Sequence, residues 1–223
     1  MFKFNGRHKE DKFLYENIFY NVKNKIFLEI GACDGLMASN TLFFEKQLNW
    51  NGILIEANPY QYKHLLKNRP NNKLFTTLVS DITSPCEYQC ISNEAVSGVV
   101  STLPESHNAL FSKDNEHSYW RNKEKKIVRL QPRTMQSILD ETNIHKIDLF
   151  SLDVEGHELN VLKSIDFSKN IINVILVEML NTNNELEKIR DFLKEKNYNF
   201  YAIVGRNEVY ILNTFNEISK ITN

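Results

Sequence analysis

The run Ile171–Glu178 (IINVILVE) restricts the fold more than any other stretch of the chain. It is rich in isoleucine, valine and leucine and shows no alternation of apolar and polar residues. A strand of that kind is covered on both faces, inside a sheet that carries helices on either side. The rest of the sequence supplies such a sheet. Ile26–Ile30 (IFLEI), 52–56 (GILIE), 74–79 and 148–153 (DLFSLD) read as further strands. Between them, 36–50, 134–142, 158–165 and 185–196 carry apolar residues at helical spacing, and another helix begins at Pro59. In the stretch 36–50, Met37, Leu42, Phe43 and Leu48 can share one face. Strands alternating with helices predict an α/β fold with a mostly parallel sheet and helices on both faces. The end of the chain departs from that rhythm. The runs 200–204 and 209–212, separated by Gly205-Arg206-Asn207, predict a terminal hairpin whose last strand is antiparallel to its neighbour.

Two hundred and twenty-three residues suit one sizeable domain spanning 1–223. Within it, 83–130 reads as an irregular insert, broken by Pro85, Gly98 and Pro104. A net charge of -1 gives no general attraction to nucleic acid or anionic lipid. Cys33, Cys86 and Cys90 are too few for a disulfide framework, and no second Cys/His pair completes a zinc site around Cys86 and Cys90. The sequence begins without a secretory leader and contains no window apolar enough to cross a membrane, so a cytoplasmic protein with no membrane partner is expected.

The glycine turn after the first strand, Glu29-Ile-Gly31-Ala32-Cys-Asp34-Gly35, would let a ligand approach the backbone at the carboxyl end of the sheet. Its glycine spacing differs from the dinucleotide motif G-x-G-x-x-G. The acids Glu29 and Asp34 would repel a pyrophosphate, and they suit an ammonium or sulfonium group. An ordinary tight turn would account for the glycines alone. The next strand ends in Glu56-Ala57-Asn58-Pro59, about 20 residues beyond the turn. An acid there can accept both hydroxyls of a ribose, so the two motifs together indicate an adenosine-type ligand. Ser80 and Asp81, after the third strand, are weaker candidates for contact with an adenine amino group, because aspartate is also a common turn residue.

A second set of candidates follows the fourth and fifth strands. Asp153, Glu155, His157 and Glu158 fall within six residues, straight after an apolar strand, and Glu178 closes the run at 171–178. Carboxylates and an imidazole crowded beside a buried strand are costly unless wet, paired or catalytic. Helix capping is the simpler role for Glu155, His157 and Glu158. Asp153 and Glu178, on adjacent strand tips, can flank an acceptor. They could also share a divalent cation, but no metal site is predicted. Arg121, Lys123, Lys125, Lys126 and Arg129 form a basic group beside Tyr119 and Trp120. Such a group could hold phosphate or nucleic acid, although a solvated loop is the plainer reading.

The blocks EIGACDG, SNTLFFEKQLNWNGILIEANP, SLDVEGHELNVLKSIDF and VILVEMLN, in this order from Ile26 to Asn181, resemble the FkbM-type methyltransferases. The resemblance implies a Rossmann-like methyltransferase fold. That fold has a seven-stranded, mostly parallel sheet closed by an antiparallel C-terminal hairpin. It further implies S-adenosylmethionine-dependent O-methylation of a sugar-like or other small acceptor. It assigns Glu29, Gly31, Asp34 and Glu56 to the donor site. Ala32, Gly35, Ala57, Ser80 and Asp81 are the remaining donor-side candidates. Asp153 and Glu155 would face the acceptor with Glu178 beside them, and Asp153 or His157 would be the general base. The insert at 83–130 does not match in detail and would shape acceptor choice. Three alternatives remain at this point. They are a nicotinamide-dependent oxidoreductase, a non-catalytic nucleotide-binding module, and methylation of nucleic acid through the basic group.

Overall fold

The computed structural model describes residues 2–91, 96–105, 107, 124–179 and 184–221. Its main sheet has seven strands: β1 (Ile26–Ile30), β2 (Asn51–Ile55), β3 (Lys73–Phe75), β7 (Lys146–Leu152), β8 (Ile171–Glu178), β9 (Tyr198–Val204) and β10 (Asn207–Leu212). Their order across the sheet is β3-β2-β1-β7-β8-β10-β9. Strands β3, β2, β1, β7 and β8 are parallel, and β10 runs antiparallel to both β8 and β9. The terminal hairpin therefore slots its last strand between β8 and the edge. The two strands that follow the sequence reversal on either side of the centre, β1 and β7, place their tips side by side, where a crevice opens in a sheet of this kind.

Alternate residues of the strands feed two cores. Leu28, Ile30, Ile53, Ile55, Phe150, Leu152, Ile175 and Val177 point to one face. There they pack on α4 (Met135–Thr142), α5 (Glu158–Lys163) and α6 (Glu185–Glu195), through Met135, Ile138, Leu159, Leu162, Ile189 and Leu193. Phe27, Leu54, Leu149, Val174 and Leu176 point to the other face. They pack on α1 (Glu10–Asn17), α2 (Leu42–Leu48) and α3 (Pro59–Asn68), through Leu14, Phe43, Phe44 and Leu65. Each such side chain contributes about 1.5–3 kcal/mol on burial, and Ile175, fully buried at the centre, is one whose truncation would leave an unfilled cavity.

Three expectations are corrected. The helix expected over 36–50 begins only at Leu42, and Leu36 and Met37 are exposed. The Asp34 carboxylate accepts from the N–H groups of both Leu36 and Met37, which makes a turn where a helix would otherwise start. The third strand is shorter than 74–79, ending at Phe75, with Val79 held by a single bridge to Arg133. The stretch 83–130 is not irregular throughout. β4 (Cys86–Ile91), β5 (Gly98–Val99) and β6 (Lys125–Leu130) form a separate three-stranded antiparallel sheet ordered β5-β4-β6. Helix α1 lies in a region for which the sequence suggested no element.

Candidate functional site

A cavity lies at the carboxyl ends of β1, β2, β7 and β8. Of the candidate residues, Glu29, Gly31, Ala32, Glu56, Ala57, Asp153, Glu155, His157 and Glu178 line it, whereas Asp34, Gly35, Ser80 and Asp81 do not.

Gly31 fixes how closely the loop can approach the sheet. Its φ of +82° lies in the left-handed region, and a Cβ there would sit 1.8 Å from the Asp153 carbonyl oxygen. The turn is held from behind by Glu29. The Asn40 N–H donates to Glu29 Oε1 at 2.9 Å, and the Ser39 and Thr41 hydroxyls donate to Oε2 at 2.9 and 2.6 Å. Fully buried Arg69 braces the same loop. It donates to the Gly35 carbonyl at 3.0 Å, Ser39 Oγ at 3.2 Å and Thr41 Oγ1 at 3.1 Å, and it pairs with Glu45. Its Nη1 also stands 3.9 Å from Glu29. Arg69 gave no signal in the sequence, because an arginine late in a surface helix ordinarily points to water.

Glu56 follows β2 directly. The Cys33 N–H donates to its Oε2 at 2.8 Å, and the Asn58 N–H donates to its Oε1 at 2.6 Å. Burial pushes its pKa up to about 7, against those two hydrogen bonds, which favour the carboxylate. Asn58 was also missed. Its amide donates to the Ile91 carbonyl and to Ser97 Oγ, both at 3.0 Å, and so pins the small sheet against the tip of β2. Through that attachment Tyr88, Ser97 and Val99 join the cavity wall.

Asp153 follows β7, and its N–H donates to the Ile30 carbonyl at 3.2 Å. Glu178 ends β8, and Glu155 sits between them with φ +58°, a conformation unusual for a side chain of its size. Oxygens of the three carboxylates lie within 4.8 Å of one another. Asp153 and Glu178 share a hydrogen bond, and both pKa values are held above the ordinary carboxylate range, by desolvation among the cavity walls first and then by like charge. Glu158 reaches back from α5, and the Val154 and Gly156 N–H groups donate to its Oε1 at 3.0 and 3.1 Å. It thereby caps the loop before the helix as well as beginning the helix itself.

His157 is buried with both ring nitrogens engaged, Nε2 at 3.0 Å from Ser80 Oγ and Nδ1 at 3.3 Å from Thr102 Oγ1. Burial pushes its pKa down to about 4, so the ring is neutral at physiological pH. Ser80 is thus committed to His157, and the Asp81 carboxylate accepts from the Asn160 amide at 2.8 Å. The stretch that meets the cavity beyond β3 is Thr77, Leu78 and Val79. Arg7 and His8 before α1, Glu10 at its start, and Arg206 and Asn207 at the hairpin turn complete the rim. No motif pointed to either segment.

Of the basic group, Lys125, Lys126 and Arg129 lie on β6 and are exposed. Tyr119, Trp120, Arg121 and Lys123 fall outside the described residues, as does Asn181. No helix among the described residues is long and apolar enough to cross a membrane.

The model of the methyltransferase FkbM domain matches residues 29–200. No curated protein matches the chain. Among solved structures, similarity is found to a candidate RNA methyltransferase from Pyrococcus horikoshii, at 11% identity and a TM-score of 0.47, covering 94% of this chain and 83% of that one. The precorrin-6y C5,15-methyltransferase from Geobacter metallireducens gives 13% and 0.43 over 85% and 79% of the two chains. The METTL16 methyltransferase domain gives 10% and 0.48 over 94% and 68%.

Proposed function

The chain belongs to the FkbM methyltransferase family, and from that premise we propose that it transfers the methyl group of S-adenosylmethionine to a hydroxyl of a sugar-like or other small acceptor. The observation that carries this reading is that one cavity joins the glycine turn and Glu56 to the carboxylates at the tips of β7 and β8.

The donor side fits its ligand. A carboxylate oxygen has two lone pairs, and each oxygen of Glu56 spends one on a backbone N–H, which leaves one per oxygen for a pair of ribose hydroxyls. Gln61 Nε2 and Asn40 Oδ1 are buried, line the cavity and have no hydrogen-bond partner among the described residues, so polar groups of a ligand can complete them. Gly31 and Ala32 leave room for the donor to lie against the backbone.

S-adenosylmethionine supplies a methyl group already activated on a sulfonium. What remains for the protein is alignment of acceptor oxygen, methyl carbon and sulfur, and removal of the hydroxyl proton. Asp153 is the general base of this account: it opens to the cavity, and its raised pKa makes it a better proton acceptor than an ordinary aspartate. Glu155 and Glu178 flank the acceptor beside it. His157 serves as a positioning residue, since both its nitrogens are already hydrogen-bonded.

The test is transfer of a radiolabelled methyl group to a panel of monosaccharides, glycosides, small amines and RNA. Label in a base-stable ether on a hydroxyl acceptor is expected. Label confined to amines or RNA would overturn the acceptor assignment, and binding of the donor with no transfer to any class would favour a non-catalytic module.

A further inference from the structure

Six carboxylates line the cavity, and three of them are already satisfied by protein donors. Glu10 receives the His8 N–H at 2.8 Å and the Asn207 amide at 2.9 Å. Glu29 receives two hydroxyls and an N–H, and Glu56 receives two N–H groups. Asp153, Glu155 and Glu178 are different. Among the described residues, the contacts that quench them are His107 Nε2, 3.1 Å from Glu155, and the hydrogen bond Asp153 and Glu178 share. Glu178 is only 9% exposed, and its Oε2 is buried without a hydrogen-bond partner among the described residues, although the residue faces the cavity. Arg7 acts on Asp153 only through space.

A buried carboxylate oxygen left without a donor is costly in a structure that satisfies its neighbours so fully. Three carboxylates within 4.8 Å also repel one another unless a proton or a cation joins them. We propose that Asp153, Glu155 and Glu178 hold a hard divalent cation of the Mg²⁺ or Mn²⁺ class. An all-oxygen donor set suits those ions, and three side chains leave coordination positions for water or an acceptor oxygen. The donors stand on fixed supports: the tips of adjacent strands for Asp153 and Glu178, and a loop tied down by Glu158 for Glu155. The cation's role rests on the proposed function. It would draw the acceptor hydroxyl into place and make it more acidic. The O–C bond then forms as the C–S bond breaks, and the hydroxyl proton passes to the Asp153 oxygen that the cation leaves free.

Metal-free full-length protein is titrated with Mn²⁺, and free Mn²⁺ is followed by its electron paramagnetic resonance signal. The same preparation is titrated with S-adenosylmethionine by calorimetry. We expect one Mn²⁺ per chain, displaced by excess Mg²⁺. Affinity should fall at least about tenfold in Glu178→Gln and in Asp153→Asn and stay unchanged in Glu56→Gln, with all variants folded by circular dichroism. A signal equal to that of free Mn²⁺ throughout, or wild-type binding by Glu178→Gln, would overturn the site. Donor binding without Mn²⁺ binding removes the cation and leaves the methyltransferase reading intact. Mn²⁺ binding without donor binding does the reverse.

Discussion

The two halves of the cavity treat their charged groups in opposite ways. On the side of β1 and β2, Glu29 and Glu56 accept hydrogen bonds on both oxygens, and Arg69 lies fully buried behind the glycine turn. On the side of β7 and β8, three carboxylates crowd together, and one oxygen of Glu178 is buried without a partner among the described residues. The first half uses its charges to fix a backbone shape against which a ligand can lie. The second crowds acidic groups together with few protein donors, an arrangement that favours whatever ligand completes it and weakens the apoprotein. Buried polar groups therefore do not carry one meaning in this fold: their partners separate scaffold from chemistry.

The largest expected break in that contrast is Asp153→Asn. Loss of the base should lower turnover by roughly 10²–10⁴-fold, with donor affinity from calorimetry unchanged; an equal collapse of donor affinity would move Asp153 to the donor half. Arg69→Met should act on the other side and on stability. It removes the buried cation beside Glu29 and Glu45, and removing one partner of a buried ion pair costs about 3–5 kcal/mol, to be read from urea unfolding with the donor absent. Next comes pH. Donor binding draws on the ionised form of Glu56, whose pKa in the free protein stands at about 7. Affinity should be level above that value and weaken about tenfold per unit below it, and Glu56→Gln should remove the slope. The smallest effect is expected for Glu178→Gln in the presence of EDTA. Replacing a carboxylate crowded by Asp153 and Glu155 should leave stability equal or raise it by up to about 1 kcal/mol, where Glu29→Gln should lower it.

What could be read from the sequence follows the range of the interactions involved. Ile171–Glu178 is a strand residue for residue as expected, because a run that apolar has one way to be buried. The terminal hairpin and the acids closing β2, β7 and β8 were legible for the same reason, since each marks where an apolar run stops. The turn at 36–41 was not, because its residues carry helical spacing and only the distant Glu29 carboxylate and Asp34 hold them out of a helix. The small sheet was hidden because β4 and β6 are partly exposed, and they pair across more than thirty residues that contain proline and glycine. Arg69 and Asn58 are ordinary surface residues by local pattern, and their roles come from partners far along the chain. His157 and Ser80 were each read as facing a ligand, and the structure spends them on one another.

On the proposed reading, Glu56 and the glycine turn form the donor half of a methyltransferase cavity. Calorimetric titration of the purified protein with S-adenosylmethionine, its demethylated product and a nicotinamide dinucleotide, repeated with Glu56→Ala, tests it most directly. Micromolar binding of the first two is expected, lost in the variant, and none of the third. Binding of the dinucleotide alone, or donor binding undisturbed by Glu56→Ala, would contradict it.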